Sequence, residues 1–138
     1  MKYTFYAIQN RDGKFEGETA GIWMPRPVKR YASTAEAARA VKKLPASSGA
    51  KAVLCETQEL EHISVTEFPK HLPLVQEAVL YNTESRKYYI RGRGFAGKDA
   101  ASASRFVTRM SLEAASPKIP VDGSATVIIF ELTIKDIT

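Results

Sequence analysis

The sequence predicts an α+β fold made by tandem duplication of one β-β-(β)-α-β repeat, with an antiparallel sheet or sheets, one helix per repeat and pseudo-two-fold symmetry. Three observations lead to it. First, SGAKAVLCETQELEHIS (residues 48–64) lies over DGSATVIIFELTIKDIT (residues 122–138) without a gap, pairing Gly49 with Gly123, Val53 with Val127, Leu54 with Ile128 and Ile63 with Ile137. Second, AIQNRDGKFEGE (7–18) matches VLYNTESRKYYIRG (79–92), each an apolar run, a polar turn opening on Asn10 or Asn82, and a second run. Third, KRYASTAEAARAVKKL (29–44) matches SRFVTRMSLEAA (104–115), aligning Arg30 with Arg105, Tyr31 with Phe106 and Ser33 with Thr108. Self-similarity at a fixed spacing marks a repeated supersecondary unit.

Each element has its own local cause. Residues 7–18 form a hairpin because Asp12-Gly13 supplies the turn chemistry that a tight reversal demands. Ser33 and Glu36 have the S-x-x-E spacing of a capping box, which starts a first helix at residue 34 and carries it to about residue 44. Its alanines and Val41 make a narrow apolar face, with Arg39, Lys42 and Lys43 on or near the solvent side. The second helix is expected over residues 109–115 and is closed by Pro117, although the alanines of 99–105 also allow a start near Asp99. The β-branched runs 50–64 and 124–138 are long strands entered through glycine turns. A short strand precedes each helix, and each helix is long enough to cover only one sheet face. The prolines of VTEFPKHLP read as a crossing linker, so the expected division is residues 1–66, a linker at 67–73, and residues 74–138, packed as one body. A repeat of about 65 residues is marginal alone, so the two are expected to pack together, by pairing edge strands into a continuous sheet or by packing their helices.

Composition narrows the chemistry. The net charge of +5 arises from 20 basic and 15 acidic residues interspersed along the chain, a mild preference for acidic partners. One cysteine, Cys55, inside an apolar run, excludes disulfide scaffolds and cysteine-rich metal sites. No run reaches the roughly 18 apolar residues of a membrane helix, and the first residues alternate like a strand rather than forming a leader. His62 and His71 are expected at the surface, and no spacing assembles a metal site. Gly92, Gly94 and Gly97 match G-x-G-x-x-G formally, but they follow a hairpin strand and not a βαβ crossover, so they read as loop glycines. Glu59 with Glu61, and Asp122 with Asp136, read as solvated faces rather than a hydrolase dyad. No catalytic residue, metal or cofactor is assigned.

The residues best suited to binding are basic and aromatic. Arg86, Lys87, Tyr89, Arg91 and Arg93 cluster in RKYYIRGRGF, and Trp23, Arg26 and Arg30 occupy the corresponding region of the first repeat. Arginine forks beside flat aromatic faces suit a protein hot spot or single-stranded nucleic acid. Alternation would place Tyr88 in the core and Tyr89 on a wet face with Arg91 and Arg93.

The strand pair K-Y-Y-I, the short strand R-Y-A-S or R-F-V-T feeding an alanine-bearing helix, and a strand such as VIIFELTI together resemble small proteins encoded by tailed bacteriophages, in which one or two such repeats make the chain. The resemblance implies an accessory factor that acts by binding a host component, including inhibitors of anti-phage defence, and it carries over no catalytic residue. The functional expectation is therefore a non-enzymatic binding protein in the host cytoplasm, monomeric or homodimeric and away from membranes. It would engage a host protein or ribonucleoprotein complex such as a CRISPR system, the alternative being a nucleic-acid-binding module on the same surface.

Overall fold

The computed structural model of the chain describes residues 1–19, 21–120 and 122–137. Thr138, the last residue of the final expected strand, lies outside the described residues. The elements are β1 (Lys2–Gln9), β2 (Phe15–Glu16), β3 (Trp23–Met24), α1 (Thr34–Lys42), β4 (Lys51–Ser64), β5 (Gln76–Asn82), β6 (Lys87–Ile90), β7 (Gly94–Gly97), α2 (Arg109–Ala114) and β8 (Ala125–Asp136). The fold is α+β, with the eight strands in one antiparallel sheet of order β3-β2-β1-β4-β8-β5-β6-β7. The chain has two compact units, a smaller one of Thr4–Thr57 with Thr133–Thr138 and a larger one of Met1–Tyr3 with Gln58–Leu132.

In the smaller unit the hairpin turn is held by Asn10, whose Oδ1 accepts the backbone N–H groups of Asp12 and Lys14 at 3.0 and 2.9 Å. Gly13 takes the positive φ of 79° that the turn requires. Tyr6 and Tyr31 exchange two backbone hydrogen bonds of 2.8 Å, so the short strand expected before α1 is a single bridge. The capping box forms: Ser33 Oγ accepts from Glu36 N–H at 3.2 Å, and the Glu36 carboxylate reaches back to Ala32 N–H at 3.2 Å. Val53, Cys55 and Thr57 are buried at alternate positions of β4, the period-2 signature of one covered face. Residues 23–24, where the two sequence repeats diverge, make a third strand absent from the sequence reading, with Glu16 opposite Trp23.

In the larger unit both sheet faces are covered, against the expectation of one. On one side Ala78, Leu80, Tyr89, Val127 and Ile129 pack with Leu112 of α2 and with Phe68 and Leu72. On the other, Val79, Tyr88, Ile128 and Phe130 pack with Ala100 and Ala103. The covering segment is not a helix running from Asp99. Asp99 caps a single 3-10 turn, Ala100–Ser102, by accepting from Ser102 N–H at 2.9 Å, and α2 begins at Arg109 with Thr108 as its cap. Two-sided burial explains why β5 is buried without a break from Glu77 to Leu80. Residues 67–73 are packed here as well: Phe68 is fully buried, and Leu72 N–H donates to Val107 O at 2.8 Å.

A charge sits inside this unit. Glu77 is 4% exposed, and its carboxylate is held by Arg105 Nε at 2.7 Å and by the Tyr3 hydroxyl. Arg105 also donates to the carbonyls of Ala100 and Ala103 at 2.7 and 2.6 Å, and its guanidinium lies 4.8 Å from the Tyr3 ring centroid. The covering segment is thereby fastened to β5. Removing one member of a buried pair strands the other, so Arg105→Ala is expected to lower unfolding free energy in urea by about 3 kcal/mol or more. Lys135→Ala, which removes the exposed pair with Glu56, is expected to cost under about 1 kcal/mol. Equal costs would show that Arg105 is not an anchor.

Candidate binding site

The β5–β6–β7 meander of the larger unit sets out four of the predicted cations. Asn82 Oδ1 accepts the N–H groups of Glu84 and Ser85 at 2.9 and 3.0 Å, closing the first turn. Arg86 completes that turn with a left-handed φ of 59°, a conformation costly for a side chain bearing Cβ. Lys87 opens β6 opposite Asn82. At the other end of β6, Gly92 has φ 81° and Arg93 N–H donates to Ile90 O at 2.9 Å, reversing the chain into β7. Arg91 is tethered by its N–H to Ser104 Oγ at 2.8 Å, and its guanidinium lies 5.8 Å from the Phe106 ring centroid. Arg86, Lys87, Arg91 and Arg93 are all exposed, and among the described residues none has an ion-pair partner. Three residues, Tyr88, Tyr89 and Ile90, lie between the two cation pairs, and the four steps from Lys87 to Arg91 span about 13 Å of extended chain.

Tyr89 does not join them. It is 4% exposed and packs against Phe95 and Phe106 with ring centroids 5.6 and 5.9 Å apart. Tyr88 is buried on the opposite face, 4.8 Å from the Tyr81 ring, and burial is the main cause that raises its hydroxyl pKa. Cover on both sides of the sheet, with a bulge between Tyr88 and Tyr89, removes the wet face that simple alternation had given to Tyr89.

Trp23, Arg26 and Arg30 belong to the smaller unit and are half-buried. Arg30 is a packing residue, its guanidinium 3.8 Å from the centroid of the Phe5 ring.

Other chemistry-bearing residues are dispersed. Glu59 engages His62 at 3.0 Å, and Lys51 engages Asp136 at 2.7 Å. Asp122 accepts from the Ser124 hydroxyl at 2.6 Å and its N–H at 2.9 Å, and these bonds hold its carboxyl below the usual range. His62 and His71 are exposed, and Cys55 is buried. Gly94 and Gly97 bound a strand antiparallel to β6, which is not the context of a dinucleotide fingerprint. Among the described residues there is no metal-binding cluster of three or more His, Cys, Asp or Glu, and no helix is long and apolar enough to cross a membrane.

Sequence reasoning missed an open pocket of about 450 Å³ in the smaller unit, lined by α1 on one side and by Glu16, Lys29 and Tyr31 on the other. The Tyr31 hydroxyl donates to Glu16 Oε1 at 2.5 Å. Burial first, then this bond and the Glu16 charge, push the Tyr31 pKa well above that of a free tyrosine. A readable signal existed in the 36, 39/40, 43/44 spacing through α1 and its C-terminal cap, which puts Glu36, Arg39 and Lys43 along one stripe.

No protein-family model, no curated protein and no solved structure matches this chain.

Two outcomes are expected. A Cβ added at Gly97 would stand 3.1 Å from Tyr88 O and 3.2 Å from Tyr88 Cβ. Gly97→Ala should therefore force β6 and β7 apart and cost about 1–3 kcal/mol in urea denaturation, whereas an unchanged midpoint would mean the strands give freely. A raised tyrosine pKa favours the neutral form in the fold, so the stabilisation from Tyr31 is complete below about pH 10 and is lost as pH rises toward its folded value. In ultraviolet titration, Tyr31→Phe should remove absorbance from the latest-ionising tyrosines, and loss from the earliest phase would contradict the Glu16 bond.

Proposed function

We propose that the chain is a non-enzymatic, phage-encoded binding protein that engages a host protein complex through the basic β5–β6–β7 meander, with inhibition of a defence system such as CRISPR as its sharpest form. The observation that carries the reading is the set of four exposed cations without ion-pair partners among the described residues, carried on turns whose intervening tyrosines are locked in the core. Arginines on turns with a fixed backbone lose less freedom on pairing with carboxylates than arginines on a loose loop, which favours a defined acidic protein surface. Burial of Tyr88 and Tyr89 takes away the stacking platform that single-stranded nucleic acid would use, so the observations favour protein. The enzyme reading has little support, because Glu59, Asp122 and Asp136 are engaged by His62, Ser124 and Lys51 respectively and do not converge on one site.

We also propose that the fold arose by tandem duplication with pseudo-two-fold symmetry, the repeats being residues 1–66 and 74–138. The support is local and repeated. Asn10 and Asn82 each close a turn through Oδ1, which in both accepts the N–H two residues on, the Tyr6–Tyr31 bridge corresponds to Ala78–Phe106, Ser33 and Thr108 cap the two helices, and Gly49 and Gly123 both have positive φ. Exchanging β1–β4 with β5–β8 also returns the same strand order read from the opposite edge.

Affinity capture from a bacterial host lysate, before and after nuclease treatment, tests the reading. A partner should be retained by the wild-type chain after nuclease and lost, by tenfold or more, with the Arg91→Ala/Arg93→Ala double variant. Equal recovery by both chains would reject the meander as the interface, and loss on nuclease treatment would favour nucleic acid.

A further inference from the structure

We infer that the pocket against α1 in the smaller unit is a binding site for a mononucleotide, a ligand class distinct from the protein partner of the meander. The wall of α1 brings Arg39 and Lys43 to the same space as Lys29, and none of these three has an ion-pair partner among the described residues. The two carboxylates present are already engaged by the protein: Glu16 accepts from the Tyr31 hydroxyl, and Glu36 from Ala32 N–H at 3.2 Å. Cations therefore outnumber carboxylates and remain available, which suits a phosphate group. Each carboxylate oxygen has more than one acceptor direction, so Glu16, fixed in place by Tyr31, can still accept from a sugar hydroxyl. Ala40 and Leu44, both half-buried on the helix wall, offer a small apolar surface for a base. The volume of 450 Å³ falls within the roughly 300–1,000 Å³ of small-ligand pockets. Phosphate on the cations, ribose on Glu16 and base over Leu44 use every wall.

Isothermal calorimetry on the full chain at low salt tests this with AMP, CMP, GMP and UMP, with adenosine and inorganic phosphate as partial ligands. At least one mononucleotide should bind tenfold or more tightly than either partial ligand, and its affinity should fall as salt rises. Arg39 and Lys43 are exposed, so the Arg39→Ala/Lys43→Ala variant should keep its fold by circular dichroism while losing tenfold or more in affinity. Tyr31→Phe, which frees the Glu16 carboxylate, should weaken the mononucleotide and leave inorganic phosphate unchanged. Failure of all four mononucleotides to bind more tightly than about 1 mM would overturn the proposal, as would unchanged affinity in the double variant. Equal weakening of nucleotide and phosphate by Tyr31→Phe would overturn the assignment of the ribose to Glu16.

Discussion

A carboxylate inside a sheet must be neutralised where it stands, and the larger unit is organised around that requirement. Glu77 on β5 is buried, and Arg105 is the charge that meets it. An isolated ion at that depth would cost several kcal/mol, so the position of Arg105 is not free to vary. Because the same guanidinium binds the carbonyls of Ala100, Ala101 and Ala103, the segment around the 3-10 turn is drawn over the sheet. With that face closed, Tyr88 is confined to the core, and with α2 on the other face Tyr89 is too. The cations at either end of β6 are left as the exposed chemistry of the meander. The aligned arginine of the smaller unit, Arg30, lies over the Phe5 ring as Arg105 lies over that of Tyr3.

This arrangement gives the candidate surface its character. The turns that carry Arg86 and Arg93 are fixed by backbone bonds to Asn82 and Ile90, and Arg91 is tied to Ser104. Cations on such turns are better prepared to pair than cations on a loose loop, since less conformational freedom is lost on binding. A strand edge flanked by positive charge also discourages pairing with copies of itself, so β7 can be exposed without inviting aggregation.

Much of the fold was legible because its signals are local. Asp12-Gly13, the Ser33–Glu36 capping box and the glycines before β4 and β8 each dictate a conformation within a few residues, and each occurs where the sequence placed it. The expected bounds of both helices, 34–44 and 109–115, lie within two residues of those observed. What could not be read depended on contacts distant in the chain. Strands β3 and β7 have weak propensity of their own, GFAG least of all, and exist because β2 and β6 offer them an edge. The burial of Tyr89 follows from cover supplied by Phe68, Phe106 and Leu112 of α2, which alternation along β6 cannot register. The α1 pocket was invisible because Glu16 and Tyr31 meet the helix only through tertiary structure, while Arg39 and Lys43 looked like an ordinary solvated face.

A protein partner seated on the β5–β6–β7 meander, as proposed, would shield its backbone from solvent. Hydrogen-exchange mass spectrometry of the full chain, free and bound to the captured partner, tests it most directly. Slowed exchange is expected to concentrate in residues 84–98, with α1 unchanged. Protection confined to other segments, with residues 84–98 exchanging as in the free chain, would contradict it.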